Sequence, residues 1–214
     1  MRRSANHQRL LAVGLAILAG FVDALGFLKL GGMFVSFMSG NSTRMAVGVA
    51  GRHGSLFAGA LIAAFVIGVM VGTRVGAVAG RWRKPAVLSA MLLLLAAAAV
   101  AHVLVDRSAI PTLLMASAMG AANAIFQRDG EVSIGVTYMT GTLVKFGQHL
   151  AWALTGGPRF GWVPYFLLWL GLVAGAMTGA LAFPLFGLGS LWIAVGFGLL
   201  LLAAAVVQGP LPEE

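Results

Sequence analysis

Six long apolar runs set the terms for this chain: Leu10–Leu28, Ser55–Gly80, Pro85–Val105, Ile110–Phe126, Trp162–Phe186 and Leu188–Val207. Each is close to the roughly 20 apolar residues with which a helix crosses a bilayer. Of the 214 residues 9% are charged and 60% hydrophobic, where a soluble domain has about a quarter charged. The runs leave no room for a soluble unit, so residues 1–214 are read as one membrane domain, a helical bundle whose first partner is the lipid bilayer. The opening MRRSANHQR and its apolar run have the look of a signal peptide, but the run continues past Asp23 and belongs to a repeat, so it is read as retained.

The formal net charge of +8 does not point to nucleic acid, because the cations stand singly in short loops and at span ends and form no basic face. The absence of cysteine rules out disulfides and thiolate metal sites.

The polar interruptions come in matched pairs. Phe34–Gly48 reads FVSFMSGNSTRMAVG and Ile134–His149 reads IGVTYMTGTLVKFGQH, so that Ser36 matches Thr137, Met38 Met139, Ser39 Thr140, Gly40 Gly141 and Arg44 Lys145. Upstream, Gly20 and Asp23 match Gly120 and Asn123; downstream, the stripe Gly68, Gly72, Gly76, Gly80 matches Gly171, Gly175, Gly179. Counterparts lie about 100 to 103 residues apart, which gives repeat 1 over about 10–105 and repeat 2 over about 110–207, the two-repeat design of secondary transporters. Two copies at so long a period do not make a solenoid.

Lysine and arginine gather in cytoplasmic loops. Arg2, Arg3 and Arg9, and again Arg81, Arg83 and Lys84, fall on that side together if Gly32–Gly51 dips into the membrane and returns. Each repeat then has three spans and one re-entrant element; three is odd, so the second repeat is inserted upside down. The expected fold is therefore an all-α polytopic membrane protein with about six transmembrane helices, two broken or re-entrant segments and two inverted repeats. Both termini are cytoplasmic, with Asp106 and Arg107 outside and Arg128 inside. The competing arrangement has eight crossings and parallel repeats, and puts Arg81–Lys84 outside.

Irregular backbone at membrane depth is tolerated only where protein buries it or water reaches it. Ser39-Gly40-Asn41-Ser42 reads as such a break after an extended Phe34–Met38, with Ser39, Asn41 or Ser42 capping a short helix through Thr43 and Arg44. Thr140-Gly141-Thr142 is expected to do the same for a helix through Lys145 and His149. Helix N-termini attract anions, and the cations Arg44 and Lys145 beside them call for something negative, either Asp23 or an anionic group on a solute. Asp23 lies about 20 Å into its span, a little past the centre of a core about 30 Å thick, where an acid is costly. It is the expected proton or cation coupler, with capping of the broken segment as the structural alternative; Asn123 is its counterpart, and His149 is either a proton relay or a merely hydrogen-bonded residue. The expected substrate site is thus Ser39, Gly40, Asn41, Ser42, Thr43, Arg44, Thr140, Gly141, Thr142 and Lys145, meeting near the midplane. Asp129 and Glu131 are read as solvated, with a gate salt bridge to Lys145 as the alternative.

The glycine stripes are read mainly as helix contacts, and Gly68, Gly72, Gly76, Gly171, Gly175 and Gly179 also as a homodimer interface. There is no nucleophile elbow, HExxH, phosphate loop or metal-spaced histidine pair; no enzyme, cofactor or metal is expected.

GFVDALGFLKLGGMFVSFMSGNSTRMAVG, over about Gly20–Gly48, resembles the signature of the YoaK-like bacterial integral membrane proteins, a domain of unknown function, and the MTGT echo and the length fit as well. The resemblance implies about six inner-membrane spans, and because one member is grouped as a novobiocin exporter it implies a transporter. The expected function is secondary transport, in the export direction by that likeness, of a small anionic or amphipathic solute by alternating access, with proton coupling. A passive anion channel and a non-transporting scaffold or assembly factor are the alternatives.

Overall fold

The computed structural model describes residues 2–51, 56–105, 109–128, 131–132 and 137–209, with side chains from residue 8 onward apart from those of 128, 131 and 132. Asp106, Arg107 and Asp129, and the side chains of Arg128 and Glu131, lie outside what is described.

Helices follow the apolar runs. In chain order they are α1 (Arg2–Lys29), α2 (Met38–Ala50), α3 (Leu56–Ala79), α4 (Arg83–Leu104), α5 (Ile110–Ala122), α6 (Met139–Leu154), α7 (Val163–Phe186) and α8 (Leu191–Val207). The one sheet among the described residues is a hairpin of Gln127–Arg128 with Glu131–Val132. Proline sits in the first turn of α5 (Pro111) and of α7 (Pro164), where its missing N–H costs nothing.

One run ends earlier than its hydrophobicity suggests. The Ile110–Phe126 run stops being α-helix at Ala122, because the Asn123 side chain turns back to donate to the Met119 carbonyl at 3.0 Å and turns follow to Phe126. A short polar side chain that bonds its own backbone favours a helix end.

Three helical stretches are long and apolar enough to cross a membrane: Gln8–Lys29, Leu56–Leu104 and Val163–Val207, of 22, 49 and 45 residues. The last two each hold two helices, divided by one-turn 3-10 segments at Gly80–Trp82 and Gly187–Ser190. Gly80 and Gly187 both have φ +54°, a left-handed backbone that glycine adopts without strain. The exposed apolar side chains of α3 (Ile67, Met70, Val78) and α7 (Met177, Leu181, Leu185) form the kind of surface that lipid covers.

The helices pair crosswise between the two halves. Helix α1 runs beside α7, and α3 beside α5. The glycines make this approach close: a Cβ on Gly175 would enter the Ile17 carbonyl, and one on Gly179 would stand 2.6 Å from the Phe21 oxygen. In the other pair, a Cβ on Gly68 would enter the Ser117 carbonyl and one on Gly72 would stand 2.8 Å from the Ala121 oxygen. Each partner helix answers with one glycine, Gly20 against the Leu172 carbonyl and Gly120 against that of Phe65. Because contacts advance in the same direction along both members, α1 and α7 are parallel, and so are α3 and α5.

Two points follow. The contacts pair Gly68 with Gly175, Gly72 with Gly179 and the turn glycine Gly80 with Gly187, one helical turn beyond the sequence register of the two stripes. The stripes are also occupied within the chain: Gly68, Gly72, Gly76, Gly171, Gly175 and Gly179 are all buried, Gly76 against Arg83 and Val87. These six glycines thus serve helix contacts within the chain.

Candidate functional site

The first break is held by two polar side chains. One oxygen of Asp23, from α1, accepts the amides of Val35 at 2.9 Å and Ser36 at 2.8 Å. Asn41, fully buried in the first turn of α2, accepts from the Phe34 amide at 3.0 Å and donates to the Phe34 carbonyl at 2.6 Å. These bonds satisfy backbone groups that would cost about 1–3 kcal/mol each if left unpaired. Asp23 therefore does what the structural alternative foresaw, and Asn41 bridges instead of capping.

The caps themselves differ from expectation. Helix α2 starts at Met38 and α6 at Met139, after Phe37 and Tyr138, neither with a side-chain cap bond. Starting this early leaves Ser39, Asn41 and Ser42, and likewise Thr140 and Thr142, inside the first turn. The hydroxyls of Ser42, Thr43 and Thr142 donate to the carbonyls of Met38, Ser39 and Tyr138 four residues back, the usual outlet for such residues within a helix. Ser39 and Thr140 are exposed.

Arg44 does not pair with Asp23; its guanidinium lies over Gly32, where an added Cβ would stand 3.0 Å from Nη2. Gly32 follows the end of α1 and its amide donates to the Phe27 carbonyl at 2.8 Å, which places Arg44 near the C-terminal pole of α1, where a cation is favoured. Asp23 in turn lies by the start of α2. The two contacts also fix the path of the chain: residues 33–36 return along α1 to the depth of Asp23, and α2 then leads back toward the end of α1, where Arg44 reaches Gly32.

The second half repeats the joint with different atoms. The Thr137 hydroxyl donates to Asn123 Oδ1 at 3.0 Å, the counterpart of Ser36 on Asp23, and both residues are buried. The surroundings diverge. Phe27, Phe34 and Phe37 close over the first break, with ring centroids 5.0 and 5.2 Å apart, and leave Gly40 no room for a side chain. Beside the second helix a cavity of about 720 Å³ opens between the N-terminal part of α1, α6 and the start of α7.

Thr142, Lys145 and His149 line this cavity, spaced to share one face of α6. Arg9 and Val13 of α1 and Gly161, Tyr165 and Leu168 at the start of α7 complete the wall. His149 stacks on Tyr165 at 4.9 Å and meets Trp152 edge-on at 5.3 Å. Of the sequence-derived set, Ser39–Arg44, Thr140, Gly141, Asp23 and Asn123 are not in the wall; α2 lies against α3 and α6 against α7, so the two helix starts do not form a common pocket. Asp23 is about 15 Å along α1 from Val13. Arg9 and Tyr165 were not singled out as site residues: Arg9 reads as a topology charge, and only the α1–α7 pairing brings the two together. Among the described residues no cluster of His, Cys, Asp or Glu has the makings of a metal site.

Over residues 11–205 the chain matches the family described as a protein of unknown function, DUF1275. A protein described as a UPF0700 transmembrane protein, from Rhizobium meliloti, is 37% identical over 217 residues, covering 95% of this chain and 91% of its own length. No solved structure matches.

Proposed function

The chain belongs to the DUF1275 family of proteins of unknown function, and we propose that this membrane protein is a secondary transporter that moves a small anionic or amphipathic solute by alternating access. What carries the reading is where the two short helices stand: Arg44 of α2 reaches Gly32 past the C-terminus of α1, while Lys145 and His149 of α6 share a cavity with Arg9 near the other end of α1. Opposite ends of one spanning helix are opposite faces of the membrane. This supports two inverted repeats, with six crossings by α1, α3, α4, α5, α7 and α8 and re-entrant elements ending in α2 and α6. Parallel α1 and α7, the first and fifth crossings, and parallel α3 and α5, the second and fourth, agree with that count.

In such folds half-helices facing a cavity hold the solute, and one repeat rocks against the other. Here the first half is closed by its phenylalanines and the second is open, with an uncovered lysine, as an alternating carrier requires of one resting state. With the arginine-rich ends of α1 and of the α3–α4 turn inside, the open cavity faces the cytoplasm of a bacterial inner membrane, the side from which an exporter loads. Asp23, bonded to the amides of the first break, remains the group through which a proton would loosen that half.

Proteoliposomes test the function. Radiolabelled decanoate or novobiocin is expected to accumulate under a pH gradient, to saturate, and to stop when the gradient is collapsed. Lys145→Gln is expected to cut the rate about tenfold, the worth of one charge-assisted hydrogen bond. Flux that ignores the gradient would point to a passive channel, and no flux above empty liposomes to a scaffold; either result would sink the carrier reading.

The topology is tested separately in cells, since the chain has no cysteine background. His53→Cys and Asp106→Cys should react with a membrane-impermeant thiol reagent and Arg81→Cys should not. The reverse pattern would mean eight crossings and parallel repeats.

A further inference from the structure

The two halves serve as each other's control. Where the fold imposes a residue, both halves should carry something like it; where only one half does, packing is not the reason. Thr142 and Lys145 have the polar and cationic counterparts Asn41 and Arg44, matched through the equivalent starts of α2 and α6 at Met38 and Met139. In that register, and in those of the paired glycines, the counterparts of Arg9, His149 and Tyr165 are Ala109, Gly48 and Ala58. Three large side chains able to make hydrogen bonds have thus been set around one cavity of a fold that its other half builds with alanine and glycine.

Among the described residues their charge is uncompensated. The described residues of the wall include Arg9 and Lys145, both exposed to the cavity space, together with His149 and the Thr142 hydroxyl, and among them there is no aspartate or glutamate. Apart from Tyr165 the rest is apolar, chiefly Leu10, Val13, Val163, Leu167 and Leu168. Two cations on an otherwise oily wall need a counter-charge that brings its own hydrocarbon, since desolvated charge is costly unless paired.

We infer that this cavity is an anion site particular to the second half, in which Arg9 and Lys145 grip the carboxylate or phosphate head of an amphiphile while its chain lies on the leucine and valine wall of α1 and α7. His149, stacked on Tyr165, offers the head a further donor. It rests on the transporter reading for its purpose but not for its existence, because binding needs neither a gradient nor a second conformation. A free amphiphile and an anionic lipid present the same chemistry.

Binding of radiolabelled decanoate is measured by scintillation proximity on the full chain in phosphatidylcholine nanodiscs. Unlabelled decyl phosphate should displace it and decyltrimethylammonium should not. Arg9→Gln and Lys145→Gln should each weaken binding about tenfold, Lys145→Arg should restore most of it, and Arg74→Gln, on an exposed part of α3, should leave it unchanged. The Lys145→Arg protein separates loss of charge from loss of fold. In discs doped with phosphatidylglycerol, loss of decanoate binding assigns the site to a lipid head and persistence to a free amphiphile, and both uphold an anion site. Equal displacement by decyltrimethylammonium, or affinities within twofold in both Gln variants, would overturn it, and inorganic phosphate competing as well as decyl phosphate would overturn the amphiphile. Binding without transport would keep this site and remove the carrier; transport without Arg9 and Lys145 dependence would do the opposite.

Discussion

A Gly175→Val protein is expected to lose its folded, monodisperse form altogether. The added side chain would enter the Ile17 carbonyl, an atom of a helix backbone that cannot rotate aside, so α1 and α7 must separate along their shared length. Overpacking usually costs about 1–3 kcal/mol, but a clash with backbone falls in the class of changes on the order of 4 kcal/mol or more. Gly68→Val, which meets the Ser117 carbonyl in the other helix pair, should be equally damaging. Gly196→Val makes the same change in α8 where nothing lies within 4 Å, and so controls for helix propensity and for added bulk in lipid. Fluorescence-detected size exclusion in detergent reads the difference, and equal profiles for Gly175→Val and Gly196→Val would mean the α1–α7 contact is not close.

The second large effect belongs to Asp23, and it separates two roles that the sequence alone leaves tangled. Asp23→Ala strands the amides of Val35 and Ser36, at about 1–3 kcal/mol each, so the thermal midpoint in detergent should fall steeply. Asp23→Asn keeps an oxygen in place and should melt near the parent, as the second half already suggests by using Asn123 to accept from Thr137. If the two variants melt together, the carboxylate is not what holds the break. With the Asn variant folded, any loss of gradient dependence in transport then reports on the proton and not on the architecture.

Much of this fold was legible because lipid enforces simple rules. All six apolar runs became helices, four of them to within three residues at each end, and Asp23 with Asn123 marked equivalent joints because an acid or amide at that depth needs a structural or chemical reason. The glycine-striped helices α3 and α7 are misaligned by one turn in the sequence for an equally physical cause. Glycine at every fourth position is a pattern that looks unchanged when slid by four residues, so the stripe itself holds no register. Gly80 and Gly187 do hold it, since each is followed by a break and then another apolar run. The cavity was legible only on its α6 wall: Thr142, Lys145 and His149 show helical spacing, whereas Arg9 and Tyr165 are brought together by pairing between halves, which no local pattern announces. The crossing of α2 back toward α1 likewise depends on where Arg44 lands.

The crosswise pairing also sets a clock for how the protein is made. Helix α1 is made before α7, the helix that packs along it, which begins at Val163. At synthesis rates of about 5–20 residues per second, some 8–30 seconds pass before that partner exists. Through that interval α1 stands in the bilayer with Gly20 uncovered and Asp23 held only by its own loop. A fragment stopped after α4 would have α3 waiting for α5 in the same way, so neither half can be expected to persist alone, and an insertase or quality-control protease would meet the nascent chain as an unfinished object for most of its synthesis.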